Sequence, residues 1–350
     1  GWQAGPVVSS YERSLAEAGT RKGLGAYYTP DDVVSRVLDL CLEPLLASRA
    51  LDGPAGLSSV RVLDPACGTG NFLVGVAERI AAALVGVGVA PTEARRVAVD
   101  DCVVGVDIDP EAVSRCRMAL GAFADGAAAA TLHRGDTLLD PLAVADGSFD
   151  LVVGNPPFLS QLGRRTARTA AEADALRRRY GAVVGAYTDP AVLFLVRSVE
   201  LARPDGGQVA LLEPLSMLSA AGAGAARARL LGVARLEALW SLETQVFDAA
   251  VEVCLPVLRR TNRPGPGEPV ELFVGRDQAT AEAAPAPTAS DATWSALLAS
   301  LAGVPTRTLC TEGLIGDLAS ATADFRDQYY GLAPHVVDRL AGPDDRWPKL

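Results

Sequence analysis

The sequence contains few of the residues on which metal and thiol chemistry depend. Its 350 residues include only two histidines, His133 and His335, and six cysteines, none of them in a Cys-x-x-Cys pair. These counts argue against a zinc site, a disulfide framework and any mechanism that needs several imidazoles. A Gly-x-Ser-x-Gly motif is also absent, so a serine hydrolase of that type is not indicated. We therefore expect reduced thiols, no metal ion and chemistry carried by other groups.

Long apolar runs are missing as well. Uninterrupted stretches such as residues 80–90 fall well short of the about 20 residues that cross a bilayer, and no charged segment followed by an apolar one opens the chain. We therefore expect a cytoplasmic protein with no membrane partner. The formal net charge of −10 is the wrong sign for a protein whose whole surface binds nucleic acid, but it leaves room for a local basic patch.

Short apolar runs that alternate with helical patterns predict the fold. Buried strands are expected at residues 60–63, 102–108, 131–133, 149–153 and 208–212. Two more strands, at residues 236–242 and 251–258, follow without a long helix between them and are expected to pair antiparallel at one edge. The sequence thus predicts an α/β fold with a doubly wound, mostly parallel, seven-stranded sheet.

The two ends of the chain differ from this central part. The pattern of residues 1–57 is helical, and Thr29 is expected to cap a helix whose first residue is Pro30. Residues 261–269 contain three prolines and two glycines, and residues 279–292 are of low complexity. We therefore expect a division into residues 1–57, 58–262 and 263–350.

The first predicted strand is followed directly by a glycine-rich turn and a helix. The turn reads DPACGTGNF at residues 64–72. This order of strand, glycine turn and helix binds nucleotide-like ligands in α/β folds. Leu73 stands where a dinucleotide fingerprint needs its third glycine, and no Gly-Lys-Ser/Thr follows, so neither an NAD site nor a Walker loop is indicated.

Two further strand ends carry short acidic side chains. Asp107, after the second strand, can accept hydrogen bonds from ribose hydroxyls, whereas Asp109 is better suited to capping the helix that begins at Pro110. Asp136, after the third strand, can accept from an adenine amino group. Each aspartate taken alone is equally typical of an ordinary cap or turn.

The fourth strand ends in the sequence NPPF at residues 155–158. Two prolines cannot continue a sheet, so they fix a rigid loop that points an amide oxygen, a backbone carbonyl and an aromatic ring into the crevice. These acceptors suit an exocyclic amine. Residues 161–180 then carry six arginines against two acidic residues, a local net charge of +4 that indicates either phosphate contacts or a solvated helical face.

With these motifs in order, the sequence resembles the N6-adenine DNA methyltransferases in which the cofactor motifs come first and the target recognition domain comes last. This class includes modification subunits of restriction systems. The matching segments are GAYYTP at residues 25–30, DPACGTGNF at 64–72, GVDIDP at 105–110, GDTL at 135–138, NPPF at 155–158 and VFD at 246–248. The resemblance covers about residues 24–258.

The resemblance implies a Rossmann-like class I methyltransferase fold, S-adenosylmethionine as cofactor and a flipped-out adenine in double-stranded DNA as methyl acceptor. The cofactor-binding residues that it implies are Tyr28, Thr29, Pro30, Asp64, Ala66, Gly68, Gly70, Phe72, Asp107, Ile108, Asp136, Thr137 and Asn155. The implied catalytic loop consists of Asn155, Pro156, Pro157 and Phe158. Substrate contacts are expected from Phe158 and Phe247 to the base and from Arg164, Arg165 and Arg168 to phosphates.

Two other functions share some of these features. A glutamine or ribosomal-RNA N-methyltransferase has the same Asn-Pro-Pro-aromatic loop, and a nucleic-acid or cofactor-binding subunit could have lost catalysis. The segment ending in Thr29-Pro30 and the late Phe247 favour DNA over the first, and the intact NPPF loop disfavours the second.

Residues 314–319 resemble the opening of a recognition domain, so we expect a fragment of a longer protein. Expected partners are that missing domain or a specificity or restriction subunit of a system for phage defence.

Overall fold

The computed structural model describes residues 29–126, 130–158, 169–185, 188–242, 252–262, 267–275, 279–288 and 293–301. Helices and strands alternate along most of this length. They are α1 (Asp31–Ala50), α2 (Gly53–Ser58), β1 (Val62–Asp64), α3 (Asn71–Gly86), α4 (Pro91–Val97), β2 (Val103–Asp107), α5 (Pro110–Phe123), β3 (Thr131–Arg134), β4 (Leu151–Gly154), α6 (Ala170–Tyr180), α7 (Pro190–Leu201), β5 (Gln208–Leu211), β6 (Glu213–Pro214), α8 (Gly224–Leu231), β7 (Ala234–Ser241), β8 (Val253–Arg260), β9 (Val270–Val274), β10 (Ala279–Ala284) and α9 (Ser295–Leu301).

All of these strands belong to one mixed sheet. The strand order is β10-β9-β7-β8-β5-β4-β1-β2-β3, and β6 pairs with β8. From β3 to β5 every neighbouring pair is parallel, whereas β8 runs antiparallel to both β5 and β7. The predicted α/β class with a mostly parallel sheet is confirmed, as is the antiparallel pairing of the last two predicted strands.

The predicted number of seven strands is wrong, because the sheet has ten. The additional strands are β6, β9 and β10, and β9 lies beside β7, so the pair expected at the edge is internal. β6 is only two residues long, and β10 is built mainly of alanine, which has a low strand propensity, so no apolar run marked either strand. The division between residues 262 and 263 stays a prediction, and residues 302–350 lie outside the described part of the chain.

The inner parallel strands β1, β2, β4 and β5 are buried on both faces, whereas β3 at the edge is only partly buried. In β1, Val62 belongs to the apolar cluster on one face and Leu63 to the cluster on the other; in β4, Leu151 and Val153 alternate with Val152 in the same way. The first cluster also contains apolar residues of α1, α3 and α5, and the second those of α7 and α8. Burial on both faces explains why these strands are continuous apolar runs in the sequence.

The direction in which the chain builds the sheet reverses between β1 and β4. These two strands are parallel neighbours, and the helix that follows β1 lies on the opposite face from the helix that leads to β5. Open α/β sheets bind ligands at such a point, outside the carboxyl ends of the strands. Asp64 ends β1 and Asn155 directly follows β4, so both lie at this crevice.

Membrane-spanning helices, metal-binding clusters and disulfides are all absent from the described residues. No helix in this part of the chain has the length and apolar composition needed to span a membrane. Within the same residues, no cluster of three or more histidine, cysteine, aspartate or glutamate side chains is arranged to hold a metal ion. The described cysteines are buried and are not joined in disulfides.

Candidate active site

The loop between β1 and α3 leaves backbone accessible to a ligand. Gly68 and Gly70 have φ angles of +51° and +100°, in the left-handed region that favours glycine. A Cβ atom on Gly70 would lie 2.8 Å from the Sγ atom of Cys116 on α5, so the loop packs closely there. At Gly68, apart from the glycine and its two chain neighbours, no heavy atom of the described residues lies within 4 Å of the corresponding position. The loop is therefore fixed at Gly70 and open at Gly68.

Asp107, at the end of β2, holds this open part of the loop. Its Oδ2 atom accepts a hydrogen bond from the Gly68 N–H at 2.8 Å, and its Oδ1 atom accepts from the Asp109 N–H at 2.9 Å. Burial raises the pKa of Asp107 above its ordinary value. Asp109 caps α5, as predicted, by accepting from the Glu111 N–H. The neighbouring Ile108 side chain is 64% exposed, which leaves an apolar surface beside the carboxyl group.

Asp64 is the second carboxyl group at the glycine loop. It is buried, and its Oδ1 atom accepts from the Ala66 N–H at 3.0 Å. Burial, reinforced by the charge of Asp107, raises the pKa of Asp64 to about 8. A Cβ atom on Gly154 would lie 2.5 Å from the Asp64 carboxyl, so β4 must end in glycine. Two acids with raised pKa values beside an open loop suit a ligand that offers positive charge or hydroxyl donors.

The loop after β3 is attached to the glycine loop. The Thr137 hydroxyl is buried and donates to the Pro65 carbonyl at 2.6 Å. The Asp136 N–H donates to Asp140 at 2.7 Å, and Asp136 Oδ1 accepts from the Leu138 N–H at 2.8 Å. The side chain of Thr137 therefore joins two loops, and its contact with a cofactor stays a prediction.

The same loop is also attached to α6. The Leu138 carbonyl accepts hydrogen bonds from Arg179 Nη1 at 2.8 Å and from Tyr180 Oη at 3.0 Å. Tyr180 is buried, and the Arg179 guanidinium lies 5.5 Å from the centre of its ring. Arg177 and Arg178 on the same helix are exposed. The C-terminal turn of α6, which is basic, is thus held against the loop that contains Asp136.

Asn155 connects the end of β4 to the N-terminal part of the chain. Its Nδ2 atom donates to the hydroxyl of Thr29 at 3.0 Å, and Asn71 Nδ2 donates to the Thr29 carbonyl at 3.3 Å. The Oδ1 atom of Asn155 is buried and has no hydrogen-bond partner among the residues that the structure describes. Buried polar atoms are nearly always paired, so this oxygen is an acceptor available to a ligand.

The remainder of the NPPF loop is more enclosed than its sequence suggests. Pro156 is buried and Pro157 is partly buried. Phe158 is 0% exposed and belongs to the first apolar cluster. Stacking of a base on this ring therefore requires neighbouring residues to move, and it stays a prediction.

Most of the predicted cofactor residues lie around one edge of the sheet. Those found there are Thr29, Pro30, Asp64, Ala66, Gly68, Gly70, Asp107, Ile108, Asp136, Thr137 and Asn155. Phe72 instead has its side chain in the first apolar cluster, because it lies on the inner face of α3. Five predicted site residues lie outside the described part of the chain: Tyr28, Arg164, Arg165, Arg168 and Phe247.

Sequence reasoning missed Glu213 at this edge. It begins β6, two positions after Leu211, which pairs with Gly154 in β4. Its side chain is fully buried, and both carboxyl oxygens lack a hydrogen-bond partner within the described residues. Burial, with a smaller contribution from the charge of Asp189, raises the pKa of Glu213 well above its ordinary value. In the sequence it only follows an apolar strand, so no pattern marked it.

The amino-acid sequence is similar to those of known DNA methylases. The family described as N-6 DNA Methylase matches residues 8–281. The type II methyltransferase M.PaeR7I of Pseudomonas aeruginosa is 32% identical over 164 residues, which cover 44% of this chain and 26% of that protein. The chain therefore spans about a quarter of the length of this curated relative.

Solved structures share the fold at low sequence identity. The methyltransferase subunit of a type I restriction-modification system from Streptococcus thermophilus is 15% identical, with a TM-score of 0.55 over 87% of this chain and 60% of that one. A Listeria monocytogenes protein assigned to the class I S-adenosylmethionine-dependent methyltransferases is 17% identical, with a TM-score of 0.54 over 84% and 77% of the two chains. The expected class I architecture is thus confirmed.

Proposed function

The chain belongs to the N-6 DNA Methylase family, and on this premise we propose that it transfers a methyl group from S-adenosylmethionine to the N6 amine of adenine in DNA. The observation that carries the proposal is the buried amide oxygen of Asn155, which has no partner among the described residues and lies at the crevice between β1 and β4. An exocyclic amine offers two N–H donors to such an acceptor. A nucleic-acid or cofactor-binding subunit without catalytic activity, the alternative function, would not need this unpaired acceptor.

The residues at the glycine loop fit the cofactor. Asp107 would accept from its ribose hydroxyls, Ile108 would cover one face of its adenine, and Asp136 would accept from the adenine amine. The open backbone at Gly68 leaves room for its chain, and Asp64 would face its positively charged groups. Bound there, S-adenosylmethionine supplies a methyl group that is already activated by the sulfonium.

The protein must make a weak nucleophile react. The lone pair of the N6 amine is delocalised into the adenine ring, so the amine attacks poorly in its planar form. Asn155 Oδ1 and the Pro156 carbonyl would accept its two hydrogens and draw them out of the ring plane. As the bond from N6 to the methyl carbon forms and the bond from sulfur breaks, these oxygens stabilise the positive charge that develops on N6. One proton then leaves N6 for solvent, so positioning and electrostatics suffice.

The DNA must present its base outside the duplex. Flipping an adenine out of the stack costs a few kcal/mol, of which stacking on an aromatic ring returns about 1 to 3 kcal/mol. Phe158 and Phe247 are the proposed rings, and Arg164, Arg165 and Arg168 the proposed phosphate contacts. Restriction-modification in the cytoplasm is the proposed setting, because a solved structure with this fold is the methyltransferase subunit of a type I restriction-modification system. A specificity or restriction subunit, or a further recognition domain, is the proposed partner.

Replacing the catalytic amide tests this proposal. We expect Asn155→Ala to lower the rate of methyl transfer to adenine at least about a hundredfold, because it removes an interaction made in the transition state. The dissociation constant of S-adenosylmethionine should change by only a few-fold. Methyl transfer to unmethylated genomic DNA, followed by nucleoside analysis, measures the rate, and calorimetry measures cofactor binding.

The control variant is Asn262→Ala, which removes an exposed amide that pairs with Asp205 away from the crevice. It should retain full activity. Methylation of a glutamine-containing protein or of ribosomal RNA, with no N6-methyladenine in DNA, would replace the proposal with the alternative substrates.

A further inference from the structure

Thr29 lies between two asparagine side chains of the site. Its hydroxyl oxygen is 3.0 Å from the Nδ2 atom of Asn155, and its carbonyl oxygen accepts from Asn71 Nδ2 at 3.3 Å. The side chain is buried. The sequence predicted that this hydroxyl caps α1. In the structure α1 begins at Asp31, its N-cap residue is Pro30, and no side chain makes a capping hydrogen bond there. The hydroxyl of Thr29 is therefore directed to Asn155 and not to the helix.

The two ends of the Asn155 amide have nearly the same shape but opposite chemistry. A half-turn of the amide exchanges an acceptor for a donor. The target amine can only donate while its lone pair attacks the methyl group, so the productive orientation has Oδ1 toward the base and Nδ2 away from it. In that orientation Nδ2 is enclosed by protein and needs an acceptor. A threonine hydroxyl can supply one, because its oxygen accepts as well as donates.

Two elements fix the position of this hydroxyl. Asn71 is the first residue of α3 and directly follows the glycine loop, so its bond to the Thr29 carbonyl ties Thr29 to the cofactor-binding backbone. On the other side, Pro30 has a restricted φ angle and leads directly into α1. Thr29 cannot shift without moving the glycine loop or the start of α1.

We propose that Thr29 is a positioning residue that holds the Asn155 amide with its oxygen directed to the target amine, an inference that rests on the proposed function. The sequence resemblance gave Thr29 a contact with the cofactor. In the structure the Thr29 hydroxyl contacts Asn155, so Thr29 would act on the methyl acceptor through Asn155. Methyl transfer should then depend on the Thr29 hydroxyl even when cofactor binding does not.

The matched variants Thr29→Val and Thr29→Ser separate the hydroxyl from the shape of the side chain. Valine keeps the shape and removes the acceptor, so Nδ2 is left buried and unpaired in the productive orientation, and the single-turnover rate should fall about 10- to 100-fold. Serine keeps the acceptor and should restore the rate to within a few-fold. The cofactor dissociation constant, measured by calorimetry on the full chain, should change less than about threefold in both variants.

The double variant Thr29→Val with Asn155→Ala gives an independent test. If Thr29 acts only through Asn155, the valine substitution should cause no further loss once the amide is gone. The proposal would be overturned if Thr29→Val lowered the rate as much in the Asn155→Ala background as it does in the wild type. It would also be overturned if Thr29→Val weakened cofactor binding by as large a factor as it lowers the rate.

A readout that needs no activity distinguishes this inference from the proposed function. In the wild type and in Thr29→Ser, the side-chain NH₂ of Asn155 should show an NMR signal protected from hydrogen exchange. In Thr29→Val that protection should be lost. If the protection pattern holds but no adenine is methylated, the proposed function fails and the Thr29–Asn155 contact stands; if the pattern is the same in all three, the contact itself is refuted.

Discussion

At the level of a single residue, we expect the ionisation of the buried Asp64 carboxyl group to link cofactor binding to pH. Its pKa is about 8, so the free protein holds this group largely protonated at neutral pH. The positive charges of S-adenosylmethionine favour the carboxylate, and binding should therefore release a proton. We expect the affinity to rise as the pH rises toward about 8 and to level off above it.

Calorimetry between about pH 6 and about pH 9, in buffers of different ionisation enthalpy, measures both the affinity and the proton released. Asp64→Asn should bind the cofactor more weakly and without this pH dependence. The control Asp205→Asn changes an acid that pairs with Asn262 and should keep the wild-type dependence. A flat affinity in the wild type would show that Asp64 does not face the charged part of the cofactor.

Among the secondary-structure elements, α6 is hydrogen-bonded directly to the loop that contains Asp136. Tyr180 and Arg179 both donate to the Leu138 carbonyl, and Leu138 is part of the turn that orients Asp136. Tyr180→Phe removes one of these bonds and keeps the ring. A single hydrogen bond contributes about 0.5 to 1.5 kcal/mol, so we expect cofactor affinity to fall about two- to tenfold.

Calorimetry again provides the measurement, with Arg177→Ala as the control on the same helix. Arg177 is exposed and, among the residues that the structure describes, pairs with Asp174 alone, at 2.9 Å, so its removal should leave cofactor binding unchanged. If Tyr180→Phe also binds the cofactor normally, α6 does not order the loop that contains Asp136.

The elements that the sequence predicted well are those whose signals are local. The strands that end at Asp64 and Asp107 are apolar runs followed by a glycine turn or an aspartate, and both features lie within a few positions. The contact between Thr29 and Asn155 joins residues 126 positions apart, and the contact between Arg179 and Leu138 spans 41 positions. No local pattern records such pairs, since they exist only once the sheet has formed. Phe158 illustrates the same limit, because an aromatic residue after two prolines looks the same whether it is buried or exposed.

For the molecule as a whole, Asp150 connects several elements at the amino edge of the sheet. It is buried just before β4 and accepts from Arg49 Nη2 at 2.7 Å, from Arg203 Nη1 at 2.8 Å and from the Arg61 N–H at 2.8 Å. These bonds connect α1, the start of β1 and the segment before β5. Asp150 thereby joins α1 to both halves of the parallel sheet.

We expect Asp150→Ala to lower the free energy of unfolding by about 3 kcal/mol, at the low end for the loss of one partner of a buried ion pair. The low end applies because Arg49 and Arg203 are 31% and 37% exposed and water can replace part of the lost interaction. Urea denaturation measures this change. Cofactor affinity of the folded variant should match the wild type, because Asp150 lies at the opposite edge from the glycine loop. A loss of affinity as large as the loss of stability would mean that the two edges are coupled.

The contrast between these two edges has an evolutionary consequence. Asp150 is fully paired, whereas Asn155 Oδ1 and the carboxyl oxygens of Glu213 are buried without partners within the described residues. Mutations that raise heat resistance are therefore easiest to find at the carboxyl edge, where apolar or smaller side chains would relieve unsatisfied groups. Selection for thermostability alone would remove the acceptor on which catalysis is proposed to depend, while the amino edge would be retained. A population evolved without pressure on its activity should lose this site before it loses its fold.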